Sequence, residues 1–383
     1  MKTIDRITIK GFKSIRKLED FPLRPLNVLI GANGAGKSNF IGFFRLLRDM
    51  IEQRLQLALQ ATEGGADGCL YLGPKITPTF TGNLYFGSNG YEFTLVPTTT
   101  NKLVFLKEEA IYVDSLQGTR KSLGSGHMES VLKDHRNDHG LQAKYGVPYY
   151  VYGYVSGFVV YHFHDTGLSA GVRRPCALND NETFRPNAEN LAPFLYRIQK
   201  TNPSSYAQIR DVIRLAAPFF DDFHLRPIPD SPDMIQLEWR QVDSDYNFRA
   251  HQLSDGTLRF ICLATALLQP FAPSTVLFDE PELGLHPYAL TLFGNLCKQA
   301  IDAGWRQIII STQSAQLLNE FAPEDIIVVE RTNGESTFRR LDASHLNVWL
   351  EDYTMGELWL KNVLGGRPRE EYITQPVNGS GLK

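Results

Sequence analysis

Leu26-Asn27-Val28-Leu29-Ile30-Gly31-Ala32-Asn33-Gly34-Ala35-Gly36-Lys37-Ser38-Asn39-Phe40 is the stretch on which the fold turns. Its first five residues are an apolar run too short for a helix, bounded by Pro25 before and glycine after, and read as a buried strand. The next eight fit the pattern G-x-x-x-x-G-K-S/T. Small residues let backbone N–H groups approach and cradle phosphate oxygens, and a following helix aims its positive end at the same anion. Phe40, Phe43, Phe44, Leu47 and Ile51 then recur at helical spacing. Strand, glycine loop and helix are the context this motif requires. Lys37 is placed to reach β- and γ-phosphates, and the Ser38 hydroxyl to ligate Mg²⁺. Asn33, Gly34, Ala35, Gly36, Lys37, Ser38 and Asn39 are the nucleotide-binding candidates.

A second motif lies far downstream. Val276-Leu277-Phe278-Asp279-Glu280 is an apolar strand ending in two acids. In open α/β sheets ligands bind at the carboxyl ends of strands. Asp279 is therefore the metal candidate beside Ser38, and Glu280 the candidate to polarise an attacking water. Between the two motifs, Leu253-Ser254-Asp255-Gly256-Thr257 precedes an apolar helix. Ser254 can cap it, and Gly256 leaves an N–H accessible, giving another anion-suited helix end.

The order phosphate loop, serine-glycine signature, Asp-Glu strand resembles that of ABC-type ATPases. More closely, the chain resembles the SMC, RecF and OLD group, and within it the compact bacterial ATPases found in antiviral defence and toxin-like operons. Ile9-Lys10-Gly11-Phe12-Lys13-Ser14, Pro281-Glu282, Leu285-His286-Pro287, Ile310-Ser311-Thr312-Gln313-Ser314 and Asn362-Val363-Leu364-Gly365-Gly366 also carry the likeness. The resemblance implies an α/β ABC-type P-loop ATPase head. Its parts are a mixed or parallel sheet core, an antiparallel β lobe and a helical signature subdomain, with an insertion. It implies ATP and Mg²⁺ as cofactors and a head-to-tail homodimer or higher oligomer. In that dimer Ser254 and Gly256 touch the γ-phosphate held by the other chain, and Glu282 to Pro287 form a connecting loop across the interface. An effector protein encoded nearby and DNA are the implied partners. Many relatives carry a catalytic His where Gln313 stands. They also have a first-lobe Gln near the metal, for which Gln60 is the nearest candidate here.

Organisation follows from the same motifs. Residues 1–113 read as an N-terminal lobe with the phosphate loop and antiparallel hairpins, 114–148 as a polar insertion of helical character, 149–250 as a β and helical segment leading to the signature, 251–366 as the signature, acidic motif and C-terminal lobe, and 367–383 as a polar tail. Tyr149-Tyr150-Val151-Tyr152 reads as strand. Because Lys37 and Asp279 must meet at one magnesium, the 383 residues form one interrupted head, not a string of domains.

Composition sets the outer bounds. Net charge is −3, which argues against coating nucleic acid by bulk electrostatics. No apolar run reaches the roughly 18 residues a membrane helix needs, so a cytoplasmic protein with no membrane partner is expected. The four cysteines, Cys69, Cys176, Cys262 and Cys297, have neither zinc-ligand nor redox spacing. His162 and His164 are a candidate metal pair, though polar residues at a strand end explain them more simply. His135 with His139 reads as a solvated helix face, and Asp243-Ser244-Asp245 as a hairpin turn. Arg173-Arg174 and Arg367-Pro368-Arg369 are small basic clusters suited only to weak phosphate contact. The expected activity is ATP hydrolysis driving a dimerising switch on nucleic acid or an effector. A DNA-repair ATPase, a transporter motor and a self-contained nuclease are the competing readings.

Overall fold

A computed structural model describes residues 3–113, 118–138, 146–304 and 307–366. In chain order it begins with strands β1 (Arg6–Phe12), β2 (Ile15–Pro22) and β3 (Leu26–Ile30), then helix α1 (Lys37–Ile51). Strands β4 (Phe80–Phe86), β5 (Asn89–Pro97), β6 (Leu103–Val113) and β7 (Gly118–Gly124) follow, then α2 (Val147–Ser156) and β8 (Phe158–Tyr161). Helices α3 (Leu191–Thr201) and α4 (Pro203–Ala216) precede several short strands between Phe220 and Arg249. The C-terminal part runs α5 (Asp255–Leu268), β9 (Thr275–Asp279), α6 (Pro287–Asp302), β10 (Gln307–Thr312), β11 (Ile326–Thr332) and β12 (Glu335–Arg340).

The central sheet has the order β12-β11-β3-β10-β9-β8, parallel except for β12. Its parallel strands are apolar on both faces because both are covered, as parallel sheets require. Val28, Ile30, Val276, Phe278, Ile308 and Ile310 point to a core shared with α3 to α6. Leu29, Leu277 and Ile309, one step out of phase, point to a second core with α1 and the antiparallel sheet. That second sheet has the order β2-β1-β4-β5-β6-β7. The phosphate loop leaves β3 and the acidic pair ends β9, two strands apart in one sheet with only β10 between them.

Two local expectations are overturned. Tyr149-Tyr150-Val151-Tyr152 lies in α2, not in a strand. Pro148 occupies the first turn, where its missing N–H costs nothing, and Pro148, Val151 and Val155 are buried at helical spacing. Residues 118–124, expected in a helical insertion, form the edge strand β7. Only Leu123 of that strand is buried, which explains the polar composition. The segment behind β7 is fixed by Glu108, a fully buried carboxyl. It accepts from Tyr91 Oη and Ser130 Oγ at 2.5 Å each and from Val131 N at 3.1 Å, and His127 Nε2 lies 2.8 Å away.

The hairpin turn at Asp243-Ser244-Asp245 is as expected, with Ser244 N donating to Gln241 O. His139, Arg367 and Arg369 lie outside the described residues. Cys69, Cys176 and Cys262 are free thiols. Among the described residues no helix is long and apolar enough to cross a membrane.

Candidate nucleotide site

The glycine loop is shaped by its neighbours in the sheet. Gly36 has φ +116°, and a Cβ there would fall 2.1 Å from Ser336 Oγ of β12, so no other residue fits. The Ser336 hydroxyl itself lies 2.6 Å from Ala35 O and from Ser14 Oγ. Asn39 donates to the same Ser14 at 2.6 Å. The Ser14 turn is thus tied to the first turn of α1, and Asn39 serves loop geometry instead of presenting a free amide. From the other side, Gly366 O accepts from Ala32 N at 2.8 Å, so the Gly365-Gly366 ending is packed on the loop.

Lys37 is buried, with its ammonium donating to Gly31 O at 2.7 Å and Ala32 O at 3.1 Å. Burial pushes its pKa down, against the opposing pull of Glu280, Glu282 and Asp279. Asn33, Gly34 and Ser38 are exposed at the loop surface.

The acidic end of β9 is held by β10. Asp279 accepts from Ser311 Oγ, and Glu280 N donates to Ser311 O at 2.9 Å. Glu280 has φ +46°, a left-handed conformation rare for a side chain of its size. Its Oε1 accepts from Gln313 Nε2 at 2.6 Å, while Gln313 N donates to Glu282 Oε1 at 2.7 Å. Burial raises the Glu282 pKa. Gln313 therefore orients the carboxylate of Glu280 from the position where relatives are expected to carry His.

Ser38, Asn39, Asp279 and His162 line one cavity of about 420 Å³ that runs along α1 past Arg45 to Lys13. A serine hydroxyl and a carboxylate facing one space are hard oxygen donors, the set magnesium prefers. His162 faces the cavity from the neighbouring strand. It directly follows β8, at the same carboxyl edge as Asp279, and that strand-end position is the signal that marks it. Burial, then His164 and Arg45, lower its pKa, which favours a neutral ring facing the cavity. Gln60 is exposed on the helical turn Leu59–Glu63 and does not line the cavity. The His162 and His164 ring centroids lie 3.8 Å apart with the planes tilted by 38°, and His164 Nε2 is bonded to Asp279 O at 2.9 Å. Among the described residues no three His, Cys, Asp or Glu side chains form a metal cage of their own.

The signature sits elsewhere. Ser254 caps α5 by accepting from Thr257 N at 3.1 Å, and neither Ser254 nor Gly256 lines the cavity. A Cβ on Gly256 would fall 2.2 Å from Gly284 O, so glycine is required where α5 meets the loop after the acidic motif.

Residues 26–94 and 123–319 match the family described as "AAA domain, putative AbiEii toxin, Type IV TA system". The chain belongs to that family. The match covers more than half of the chain and includes the phosphate loop, the signature and the acidic motif. Among solved structures, an Smc head bound to the C-winged helix domain of ScpA is similar at 17% identity and TM-score 0.52, covering 89% of this chain and 99% of that one. An Smc head with an extended coiled coil from Pyrococcus furiosus, bound to the C-terminal domain of ScpA, gives 14% identity and TM-score 0.52, covering 92% and 99%. At these identities the likeness establishes the fold: this member of the AAA family has the architecture of an SMC ATPase head. No curated protein matches the chain in sequence. The family and the fold make the chain a nucleotide-binding ATPase domain of P-loop type.

Proposed function

We propose that this AAA-family chain is an ATP-driven switch that dimerises head to tail and hydrolyses ATP slowly, acting on a partner effector or nucleic acid in antiviral defence. The observation that carries the reading is the presence of two anion-suited helix ends in one chain. Lys37 and Ser38 open α1 at the edge of the central sheet where Asp279 and the Gln313-held Glu280 end β9, whereas Ser254 caps a different helix, α5. A phosphate loop alone leaves the γ-phosphate half solvated. A second helix end, supplied by another copy, closes the site and stabilises transition-state charge.

In this reading the backbone of residues 33–38 and Lys37 bind and orient the phosphates. Ser38 and Asp279 are the residues suited to hold magnesium, with His162 beside them. Magnesium, when bound, neutralises charge on the β- and γ-phosphate oxygens. Glu280 accepts a proton from the attacking water, and Gln313 holds the receiving carboxylate in place without carrying a proton itself. Residues 1–383 work as one head, with Glu282–Pro287 as the loop that spans the dimer. The family's description as a putative toxin of a type IV system supports a defence role with an effector nearby.

Glu280→Gln tests the assignment. The variant should bind ATP, fail to hydrolyse it and run as a dimer in light scattering only when ATP and Mg²⁺ are present. Hydrolysis at the wild-type rate would show that Glu280 is not the base.

A further inference from the structure

Arg259 lies on α5, five residues beyond the capping Ser254, and is 7% exposed. Its guanidinium bonds two loops at once. Nε donates to Phe163 O at 2.8 Å, Nη2 to His164 O at 3.0 Å and to Thr166 Oγ1 at 3.3 Å, and Nη1 to Leu283 O. The first three acceptors belong to the loop leaving β8, which begins with His162 in the nucleotide cavity and touches Asp279 O through His164. The fourth belongs to the loop that follows Glu280. Gly284, next to it, has φ +70°, and a Cβ there would lie 2.9 Å from Arg259 Nη1.

Among the described residues no carboxylate pairs with Arg259. Asp255, its nearest acid along the helix, is bonded instead to Arg173 at 2.6 Å. Arg173 adds a second tie between the same places, donating to Thr166 O at 2.6 Å, to Leu253 O at 3.1 Å and to Ala250 O. A buried cation without a direct ion pair is a poor device for stability alone. The apolar side chains of α5 already fill the core around it. What the planar fork does, and an apolar residue cannot, is lock carbonyls of two irregular loops to one rigid helix.

We propose that Arg259 is a positioning residue that couples the chain's own nucleotide edge to the signature it presents to a second copy. Its contacts run from Asp279 through His164 to Arg259, and along α5 to Ser254 and Gly256, with Leu283 as a branch into the connecting loop. A shift of the acidic edge around bound nucleotide moves the carbonyls of residues 163, 164 and 283, and α5 moves with them. Nucleotide in one site thereby sets the aim of the signature used by the other. This rests on the reading of Ser254 and Gly256 as groups that act on a second chain's nucleotide.

Hydrogen exchange on the full chain tests it, with Ser254→Arg included to keep the protein monomeric. ATP with Mg²⁺ should slow exchange across residues 31–38 and change it across 250–258. Adding Arg259→Lys, which keeps the charge but loses the fork, should leave the first effect in place and cut the second at least severalfold. An undiminished ATP effect at 250–258 in the Arg259→Lys chain overturns the proposal, as does the lack of any such effect in its parent. Arg259→Gln, which keeps two amide donors, serves as the second variant should the lysine chain not fold. In the otherwise wild-type chain, Arg259→Lys should lower kcat about tenfold with ATP affinity unchanged, whereas a merely structural role would lower both together. Failure of the underlying reading has a separate signature: Ser254→Arg alone would leave kcat and ATP-dependent dimerisation intact.

Discussion

Glu280 and Gln313 show at the scale of single residues how this site departs from the His-bearing pattern. Gln313 donates to Glu280 Oε1 and receives the glutamate in a strained backbone conformation, so the pair is built to fix an angle, not to shuttle a proton. Gln313→Ala should therefore lower kcat by about 10²-fold, on the scale of a lost acid–base positioning group, with ATP affinity nearly unchanged. Gln313→His should restore part of the rate, because an imidazole N–H can reach the same oxygen. A stopped-flow phosphate-release assay reads both, and an unaffected Gln313→Ala would remove the residue from the mechanism. The loop and acidic residues were legible in the sequence because each carries its chemistry in a short contiguous motif. That His162 faces the same cavity was not, since it depends on β8 lying beside β9, a pairing between residues more than a hundred apart.

Elements were legible where one physical signal dominated. The central strands announced themselves by runs apolar on both faces, and α1 by its spacing of phenylalanines. α2 failed that test because tyrosine and valine favour strands, while Pro148 and three buried positions spaced along one face decided for helix. β7 and β12 are edge strands whose polar residues give no alternation to read. What holds β7 and the chain behind it is the Glu108 cluster, visible only in three dimensions. Glu108→Ala would take from the Tyr91 and Ser130 hydroxyls and the Val131 N–H the acceptor they share, leaving the two hydroxyls only each other at 3.5 Å. The expected loss is about 3 kcal/mol, at roughly 1–3 kcal/mol for each buried unsatisfied group less what relaxation recovers. Urea unfolding measures it, and a loss under about 0.5 kcal/mol would mean the segment is held elsewhere. At the other end of the molecule, Gly256→Ala forces a Cβ onto Gly284 O and should displace the N-terminus of α5. Hydrolysis should fall, while ATP binding at the phosphate loop survives.

At the scale of the whole molecule, the sequence required Lys37 and Asp279 to meet across more than two hundred residues, and the single central sheet shows how they do. The net charge of −3 leaves no bulk attraction for DNA, so any grip on nucleic acid must come from a local basic patch, from a patch made by dimerisation or from a partner. Head-to-tail assembly makes a sharper statement about the two kinds of helix end. A Lys37→Ala chain keeps a sound signature but loses its phosphate loop, and a Ser254→Arg chain loses its signature but keeps the loop. Each alone should be inactive. When the two are mixed in equal amounts, only mixed pairs can close, because neither variant makes a complete site with its own kind, and each mixed dimer contains one fully native composite site and one doubly damaged one. Activity should return, to at most about half of wild type, if the two sites act independently. Recovery would require that signature and phosphate loop act across the interface, because no chain in the mixture carries both. If mixed dimers form by mass and ATP hydrolysis stays at zero, the sites either fire only together or lie within single chains. Repeating the mixture with wild-type and Lys37→Ala chains separates these. Sites that fire together leave those mixed dimers silent, whereas sites within single chains let the wild-type partner turn over at its full rate.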